Sequence, residues 1–190
     1  MRNQSIHENK TKNVRPIDDM VFRVALDNEL DAVLKLRAEL YANDFGHNPD
    51  DRHDRIGRHL IALTGAGDIV AGVRILGPGL RPFDFEHMHD LSSIVEQGRR
   101  PAMIGRLFLR KDCRAVDRSA YVLLGLLKCS LTFAEYHHIT DYYMYTFSHL
   151  LRFYRHAGFQ SLGITVYHEQ WRILHLMHMD MSNDIQVLES

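Results

Sequence analysis

The sequence predicts an α/β domain built on a mixed sheet with helices on both faces. Short apolar runs, typical of strands, are interspersed with longer runs whose apolar residues recur at helical spacing. Two strand-like runs are separated by Gly65-Ala66-Gly67-Asp68, which indicates a hairpin. Gly158 follows a helical run and is suited to end that helix. Strands therefore occur before, between and after the helices, as a mixed sheet requires.

Each predicted element follows from a local pattern. Alternating apolar residues indicate the first strand, and Asp27 or Asn28 can cap the first helix. The polar loop at 42–58 is longer than a plain connector, and long ordered loops in compact domains are often functional. In chain order, the predicted elements are a strand at 20–26, a helix at 30–40, strands at 59–64 and 69–76, a short helix at 90–97, a strand at 103–109, a long helix at 119–138, a strand at 141–147, a helix at 149–156, a strand at 159–168 and a short helix within 171–190.

Length and composition fit one globular domain. We expect a flexible N-terminal arm over residues 1–19 and a single domain over 20–190. The formal net charge of −1 argues against a general nucleic-acid binder, because a surface that binds duplexes usually shows in the overall charge. No stretch is long and apolar enough to span a membrane, and the polar N-terminus lacks a signal-peptide core. The sequence therefore predicts a soluble, cytoplasmic protein without a membrane partner.

The cysteines and histidines show no metal-binding pattern. Cys113 and Cys129 lack metal-ligand or disulfide spacing, which suits a reducing compartment. The 13 histidines are scattered and accompany neither an HExxH motif nor paired cysteines. We therefore predict no metal site and no tightly bound cofactor. Cys129 is expected in the core, whereas Cys113 lies in a basic loop that can lower its pKa, so an acyl-cysteine intermediate is a minor alternative.

A basic loop joins the strand at 103–109 to the long helix. Between Arg99 and Arg118 the chain carries seven basic residues against two acidic ones. A basic loop before a helix N-terminus offers free backbone N–H groups, the positive end of the helix dipole and guanidinium groups, all of which favour a phosphate. We interpret this loop as a phosphate-binding turn, and a solvated surface loop is the alternative. Its candidate binding residues are Arg110, Arg114, Arg118 and Ser119.

The order of elements and several motifs resemble the GNAT superfamily of acyltransferases. Residues 153–159, Phe-Tyr-Arg-His-Ala-Gly-Phe, resemble the FYxxxGF signature near the C-terminal end of GNAT domains. Residues 51–54, Asp-Arg-His-Asp, and 72–76, Gly-Val-Arg-Ile-Leu, resemble the DxxD and GxxRLL segments of acyl-homoserine-lactone synthases and the related N-acyl amino acid synthases. In that branch the fourth strand typically reads ExxRL, and here residues 103–107 read Met-Ile-Gly-Arg-Leu. The resemblance covers residues 20–167 and implies a GNAT-like, mostly antiparallel sheet.

Two departures from these families bear on the chemistry. GNAT proteins that use acetyl-CoA typically have a glycine-rich pyrophosphate loop, because close backbone approach needs residues without side chains. Residues 114–120 contain no glycine. A single phosphate, as on the phosphopantetheine arm of an acyl carrier protein, needs less of the loop, and the basic side chains can meet the acidic face of such a carrier. Met103 stands where the related synthases have a glutamate, so the base for the amine is left open.

The resemblance implies attack of an amine on a thioester, which yields an amide and a free thiol. An amine near neutral pH is mostly protonated, so Asp51 and Asp54 are candidates to hold the ammonium or to relay its proton. Arg74 is expected to pair with a carboxylate such as Asp54 or Glu86, or to bind a substrate carboxylate, because an unpaired charge on a central strand is costly. Arg106 is interpreted in the same way.

Backbone groups of the fourth strand are expected to bind the donor. In GNAT-like folds this strand pairs with the pantetheine amides and places an N–H near the thioester carbonyl, which by resemblance assigns these tasks to Leu107, Phe108 and Leu109. Tyr154 resembles the GNAT tyrosine that protonates the departing thiolate. The alternatives are structural: a core strand, and a tyrosine packed on the sheet. Three histidines have a suitable pKa for a base, although no spacing selects one of them: His53, His59 and His149.

The leading prediction is an N-acyltransferase that moves an acyl group from a phosphopantetheine thioester to a small amine or amino acid. An acyl carrier protein is favoured over CoA as the donor, and both act as co-substrates. An aminoacyl group from charged tRNA is a more distant alternative. From a different class, a GNAT-like binding module without catalysis is supported by the missing glutamate and the missing glycines.

Overall fold

One mixed sheet of seven strands forms the centre of the molecule, which was analysed as a computed structural model. The structure describes residues 19–46, 52–84 and 86–181. The strands are β1 (Val21–Val24), β2 (Arg58–Leu63), β3 (Ile69–Leu76), β4 (Pro101–Leu109), β5 (Asp141–Phe147), β6 (Gln160–His168) and β7 (Arg172–Asp180), and the helices are α1 (Leu30–Phe45), α2 (Val116–Tyr136) and α3 (Leu151–His156). Most of the predicted N-terminal arm lies outside the described residues.

The sheet has the strand order β1-β2-β3-β4-β5-β7-β6. Every neighbouring pair is antiparallel except β4 and β5, which are parallel. The prediction of a mixed, mostly antiparallel sheet is therefore confirmed. None of the described helices is long and apolar enough to cross a membrane.

The prediction of a short helix in the C-terminal tail is wrong for residues 172–180. Residues 172–180 form β7, which inserts between β5 and β6 and is antiparallel to both. Leu174, Leu176 and Met179 are buried, whereas His175 and His178 are half-buried. The tail is a strand because it forms a hairpin with β6 and also pairs with β5, and the pairing of Asp141 with Asp180 is one that a local pattern does not reveal.

Several predicted boundaries also change. Helix α1 extends to Phe45 and is closed by Gly46 in the left-handed region, with φ 76°, so the following loop is shorter than predicted. Neither Asp27 nor Asn28 caps α1 through its side chain; a 3-10 turn, Asp27–Glu29, precedes the helix instead. The predicted short helix at 90–97 is a 3-10 turn, Leu91–Ser93. Helix α2 begins at Val116, three residues before the predicted start.

The helices cover opposite faces of the sheet because apolar residues alternate along the strands. Leu60 and Ala62 of β2 belong to the core beneath α2, whereas Ile61 and Leu63 belong to the core beneath α1. Helix α3 packs on the same face as α2. A third cluster, which includes Phe83, lies under the long connection between β3 and β4.

Strands β4 and β5 diverge after a short paired stretch, which opens the sheet. Residues 101–103 pair with 141–143, and no later residue of β4 pairs with β5 in the described part of the chain. The register of β4 against β3 shifts between Gly72 and Arg74, as a bulge requires, and Arg106 has φ 57°. The bulge bends β4 away from β5, so that the space between them is free for a ligand.

Candidate active site

Two cavities meet at the divergence of β4 and β5. Each has a volume of about 150 Å³. They share five lining residues from β4, β5 and α3: Ile104, Gly105, Leu107, Met144 and Tyr154. A molecule that enters one cavity therefore lies next to a molecule in the other.

The first cavity, here called the apolar cavity, lies on the α2 face. Helix α2 contributes Leu123, Leu124 and Leu127, and α3 contributes Phe153. Leu124 and Phe153 are also among the exposed large apolar residues of the surface, so they form the mouth of the cavity. A dry cavity of this volume with leucine and phenylalanine walls accommodates a guest the size of benzene. The apolar cavity thus suits a hydrocarbon group larger than acetyl.

The second cavity, here called the charged cavity, lies on the α1 face and is lined by both aromatic and charged residues. One side is an aromatic wall formed by Tyr41, Phe45, Phe147 and Trp171. Ring centroids lie 5.1 Å apart for Phe45 and Trp171 and 5.3 Å apart for Tyr41 and Phe45, both with edge-to-face geometry. The lining also includes the charged groups Asp84 and Arg106.

Beneath the charged cavity lies a buried carboxylate between two arginines. Asp54, which is 1% exposed, accepts hydrogen bonds from Arg37 Nη2 on α1 and from Arg74 Nη1 on β3, the latter at 2.5 Å. The backbone carbonyl of Asp54 accepts a hydrogen bond from His59 Nε2 at 2.9 Å. The predicted pairing of Arg74 with Asp54 is confirmed, whereas Glu86 pairs with Arg81 instead.

Asp84 extends this cluster into the charged cavity. It forms an ion pair with Arg74 Nη2, lies 2.8 Å from His53 Nδ1 and lies 3.3 Å from Arg106 Nε. His53 Nε2 donates a hydrogen bond to the carbonyl of Pro82 at 3.0 Å. Because both ring nitrogens of His53 face acceptors, its ring serves to hold Asp84 in place.

The structure thus brings together three of the five residues predicted to act in catalysis. Asp54, Arg74 and Arg106 belong to one charge cluster, and Tyr154 lies at the junction of the cavities. Asp51 lies outside the described residues. The catalytic roles of all five stay predictions.

Sequence reasoning did not identify three residues of this region: Arg37, Asp84 and Tyr41. An arginine within the apolar run of the first helix was the available signal for Arg37, since such a residue is buried only when paired. Asp84 stands in a segment without periodicity, so no pattern singled it out. Tyr41 donates a hydrogen bond from its hydroxyl to the carbonyl of Leu107 at 2.8 Å, which ties α1 to β4.

The backbone segment predicted to bind the donor has mixed surroundings. Phe108 and Leu109 are paired with Gly72 and Ala71 of β3, and the carbonyl of Leu109 accepts a hydrogen bond from Arg114 Nε at 2.9 Å. Leu107 lines both cavities. Donor binding by these three residues stays a prediction.

The basic loop is tied by exposed ion pairs. Arg110 forms a two-pronged pair with Asp112, both contacts at 2.7 Å, and Arg114 forms another with Asp44 at the end of α1, at 2.5 and 3.1 Å. Arg118 Nε is buried without a hydrogen-bond partner among the described residues. The Ser119 hydroxyl donates to the carbonyl of Val116 at 2.9 Å. The loop therefore holds the guanidinium groups of Arg110 and Arg114 on carboxylates that a ligand can displace.

Burial governs the acid–base properties of the phenols near the cavities. It raises the pKa of Tyr41 and of Tyr145 to about 12, and it also raises the pKa of Tyr154. All three hydroxyls therefore stay protonated at neutral pH. Tyr154 is consequently available as a hydrogen-bond donor where the cavities meet.

Two sequence expectations about bases and nucleophiles change with the observed burial. Burial raises the pKa of the Cys113 thiol, opposite to the expected decrease, so the acyl-cysteine alternative loses its basis. Burial also lowers the pKa of His59, which donates to the Asp54 carbonyl and lines neither cavity. His149 is exposed and stacks on Phe147.

Comparisons with known proteins support the fold. No family model matches the chain, and no curated protein matches its sequence. Among solved structures it is similar to FeeM, an N-acyl amino acid synthase from uncultured soil microbes, with a TM-score of 0.73, 16% identity and coverage of 86% of this chain and 92% of FeeM. It is similar to TofI, solved with an inhibitor and MTA, with a TM-score of 0.65, 16% identity and coverage of 86% and 91%.

A third similar structure is an acyl-CoA N-acyltransferase from Pseudomonas aeruginosa. Its TM-score is 0.59, its identity is 23%, and the match covers 85% of this chain and 99% of that protein. At these identities the likeness concerns the fold. Together with the strand order and the divergence of β4 and β5, it shows that the chain has the fold of the GNAT acyltransferases.

Proposed function

We propose that this protein is an N-acyltransferase that moves an acyl group from a phosphopantetheine thioester to the amine of a small molecule or amino acid. One observation carries the proposal: an apolar cavity and a charged cavity meet at the opened sheet and share five residues. The apolar cavity suits an acyl chain, and the charged cavity suits a polar acceptor. Their junction is where the two reacting groups meet.

The reaction asks for orientation and proton transfer, because a thioester is already activated. The ammonium of the acceptor first loses one proton to solvent. The free amine then forms a C–N bond with the thioester carbonyl carbon, the C–S bond breaks, and the second amine proton goes to the departing thiolate. Tyr154, which stays protonated at the junction, donates a hydrogen bond to that thiolate as it leaves.

An acyl carrier protein is the donor that the basic loop favours. The loop contains no glycine for close approach to a pyrophosphate, and its Arg110 and Arg114 side chains are partly exposed. A carrier presents one phosphate and an acidic surface, which match exposed guanidinium groups. Acyl-CoA stays the alternative donor, and the resemblance to the Pseudomonas aeruginosa acyl-CoA N-acyltransferase supports it.

Donor kinetics test the proposal. Replacing Arg114 and Arg118 together with alanine should raise the donor KM by an order of magnitude or more. The double variant Arg55→Ala with Arg58→Ala is the control, because it removes two exposed arginines outside the loop and should leave the donor KM nearly unchanged. Unchanged donor kinetics in the loop variant would refute the role of the loop.

Two titrations identify the donor. Binding of a phosphopantetheinylated acyl carrier protein should exceed binding of CoA at matched low salt, whereas tight CoA binding would reverse that assignment.

Release of free thiol from thioester donors mixed with a panel of amines separates an enzyme from a binding module. No thiol release with any combination would favour the module, for which buried Met103 and the glycine-free loop are the supporting observations.

A further inference from the structure

Tyr41 connects helix α1 to the part of β4 that has left β5. Its hydroxyl donates a hydrogen bond to the carbonyl of Leu107 at 2.8 Å. We infer that Tyr41 is a positioning residue of the reaction, which holds the backbone of β4 so that the N–H of Leu107 is directed at the carbonyl of the acyl donor. The inference rests on the proposed function, since it concerns how the same reaction is assisted.

The backbone of Leu107 is turned toward the opening between the strands. Arg110, directly after β4, donates its N–H to the carbonyl of Val70 at 2.8 Å, and Phe108 is the register partner of Gly72. In an antiparallel ladder the backbone groups of alternate residues point to the same side. Phe108 therefore faces β3 as Arg110 does, and Leu107 faces the opening.

This direction distinguishes Leu107 from the other two residues predicted to bind the donor. Leu107 lines both cavities, whereas Phe108 and Leu109 are not among the residues described as lining either. The carbonyl of Leu109 also points away from β3, but it accepts a hydrogen bond from Arg114 Nε at 2.9 Å, in the basic loop. Leu107 is therefore the residue whose N–H can meet a ligand where the cavities join.

The Tyr41 hydroxyl takes the place of a neighbouring strand. A buried backbone carbonyl needs a hydrogen-bond donor, which in a sheet comes from the next strand. No residue of β5 pairs with Leu107 among the described residues, and Tyr41 supplies the donor instead. The N–H and the carbonyl of one extended residue point to the same edge of a strand. Holding the carbonyl thus also directs the N–H into the opening.

The residue before Leu107 explains why the backbone needs this support. Arg106 has φ 57°, in the left-handed region that residues with a side chain rarely adopt. Such conformations persist where the surroundings hold them, and they cluster at active sites. The Arg106 side chain lies 3.3 Å from Asp84, and Tyr41 holds the carbonyl of the next residue. Without the Tyr41 hydroxyl, a rotation at Arg106 would turn the Leu107 N–H away from the ligand.

Tyr41 is itself firmly placed. It is buried, and its ring packs edge-to-face on Phe45 and Trp171, with centroids 5.3 and 6.0 Å away. One helical turn earlier, Arg37 pairs with the buried Asp54. Residues four apart lie on the same face of a helix, so this ion pair fixes the face of α1 that carries Tyr41. The buried charge cluster therefore also holds the Tyr41 hydroxyl at β4.

The variant Tyr41→Phe tests the hydrogen bond, because it removes the hydroxyl and keeps the ring. We expect kcat for thiol release to fall about tenfold to a hundredfold, because a displaced N–H no longer meets the negative charge that develops on the carbonyl oxygen. The KM values of donor and acceptor should change less than threefold. An unchanged kcat, or a loss confined to KM, would overturn the inference.

Tyr142→Phe is the matched control. The Tyr142 hydroxyl also donates to a backbone carbonyl at 2.8 Å, that of Ser130, and Tyr142 is not among the residues described as lining either cavity. Both variants should lower the unfolding midpoint in urea, whereas kcat should fall in Tyr41→Phe alone. Equal losses of kcat in the two variants would show that Tyr41 has only a structural role.

A binding measurement tests the same contact without turnover. The probes are two hexanoyl analogues, carried on whichever donor, carrier protein or CoA, binds more tightly. In one, a sulfoxide replaces the thioester and its polarised oxygen imitates the oxyanion; the other is the thioether without that oxygen. The ratio of the sulfoxide affinity to the thioether affinity should fall about tenfold in Tyr41→Phe and stay within threefold in Tyr142→Phe. Equal ratios in all three proteins, or no binding of the sulfoxide, would overturn the inference.

The wild-type protein provides a readout that needs no variant to fold. Hydrogen exchange of the Leu107 amide should be slowed tenfold or more by the sulfoxide relative to the thioether, because the sulfoxide oxygen accepts from that N–H. Equal exchange with both analogues would contradict the assignment of Leu107.

The combined results separate this inference from the proposed function. Normal thiol release by Tyr41→Phe would overturn the inference and leave the acyltransferase standing. An affinity ratio that depends on Tyr41, with no thiol release from any donor and amine, would leave the positioning role in ligand binding standing and overturn the enzyme. A lower kcat together with a lower affinity ratio in Tyr41→Phe supports both.

Discussion

The same chemical contact, an aspartate held by arginine, occurs in two contrasting places. Asp54 lies between Arg37 and Arg74 with all three side chains 2% exposed. Asp44 holds Arg114 at the surface, where these side chains are 24% and 38% exposed. The first contact ties helix α1 to strand β3 across the 52–57 loop, and the second ties the end of α1 to the basic loop. The first contact is shielded from solvent, and the second is exposed to it.

This difference in exposure decides what each contact can do. Removing one partner of a buried pair leaves an uncompensated charge, so the buried contact is a fixed part of the fold. An exposed pair is worth little because water and salt compete with it. Arg114 is therefore free to exchange Asp44 for an anionic ligand, whereas Arg74 cannot release Asp54 without disrupting the charge cluster beneath the charged cavity.

The largest effect is expected for Asp54→Ala. The substitution leaves Arg37 and Arg74 buried without this carboxylate, and it should lower the free energy of unfolding by about 3–5 kcal/mol. Urea denaturation measures this change. Arg55→Ala is the control, because Arg55 is the next residue but 72% exposed, and it should leave the unfolding midpoint nearly unchanged. Similar losses of unfolding free energy in both variants would contradict the distinction between the buried and the exposed contact.

Arg74→Lys should have an intermediate effect. Lysine keeps the charge but not the planar fork with which Arg74 joins Asp54 and Asp84. We expect a loss of about 1–3 kcal/mol in the free energy of unfolding and a higher KM for the acceptor, with the donor KM unchanged. An increase in the donor KM alone would show that the cluster serves the other substrate.

A smaller effect is expected for Asp44→Asn. Because the pair is exposed, the free energy of unfolding should change by no more than about 1 kcal/mol. The substitution frees Arg114 for the donor phosphate, so the donor KM should fall. Steady-state kinetics with the carrier-bound donor measure it. A rise in the donor KM would mean that Asp44 orients Arg114 for the ligand and does not compete with it.

The smallest effect concerns pH. The hydrogen bond from Arg114 lowers the pKa of the Asp44 carboxyl below its usual value. A lowered pKa in the folded state stabilises the protein above the unfolded-state pKa, and this contribution disappears as the pH falls through the folded-state pKa. The stability difference between the wild type and Asp44→Asn should therefore be present at neutral pH and vanish in acid. A difference that grows in acid would contradict this account.

Much of the fold follows from local patterns in the sequence, which fail where a structural feature depends on distant residues. Strand β5 has the predicted bounds, because an apolar run between polar ends is a local signal. Strand β7 lies in the tail for which a short helix is predicted, since its pairing with β5 joins Asp141 to Asp180 and is not visible in a local pattern. The burial of Cys113 and the consequent rise of its pKa have the same origin.

The candidate site was predictable to a lesser degree than the fold. Motif spacing singled out Asp54, Arg74 and Arg106, which do assemble. Asp84, the common partner of Arg74 and Arg106, could not be found, because the connection between β3 and β4 has no periodicity and its path depends on the packing of Phe83. The role of a charged residue on a connecting segment therefore depends on which strands the segment crosses.

The five residues shared by the two cavities have a thermodynamic consequence. Ile104, Gly105, Leu107, Met144 and Tyr154 face the spaces assigned to both substrates. Residues in contact with a common partner respond non-additively to substitution. A substitution at one of these five shared residues should therefore change the Michaelis constants of both substrates. Double-mutant cycles between a shared residue and a residue of either cavity should show interaction energies, whereas a cycle between Leu124 and Asp84 should not.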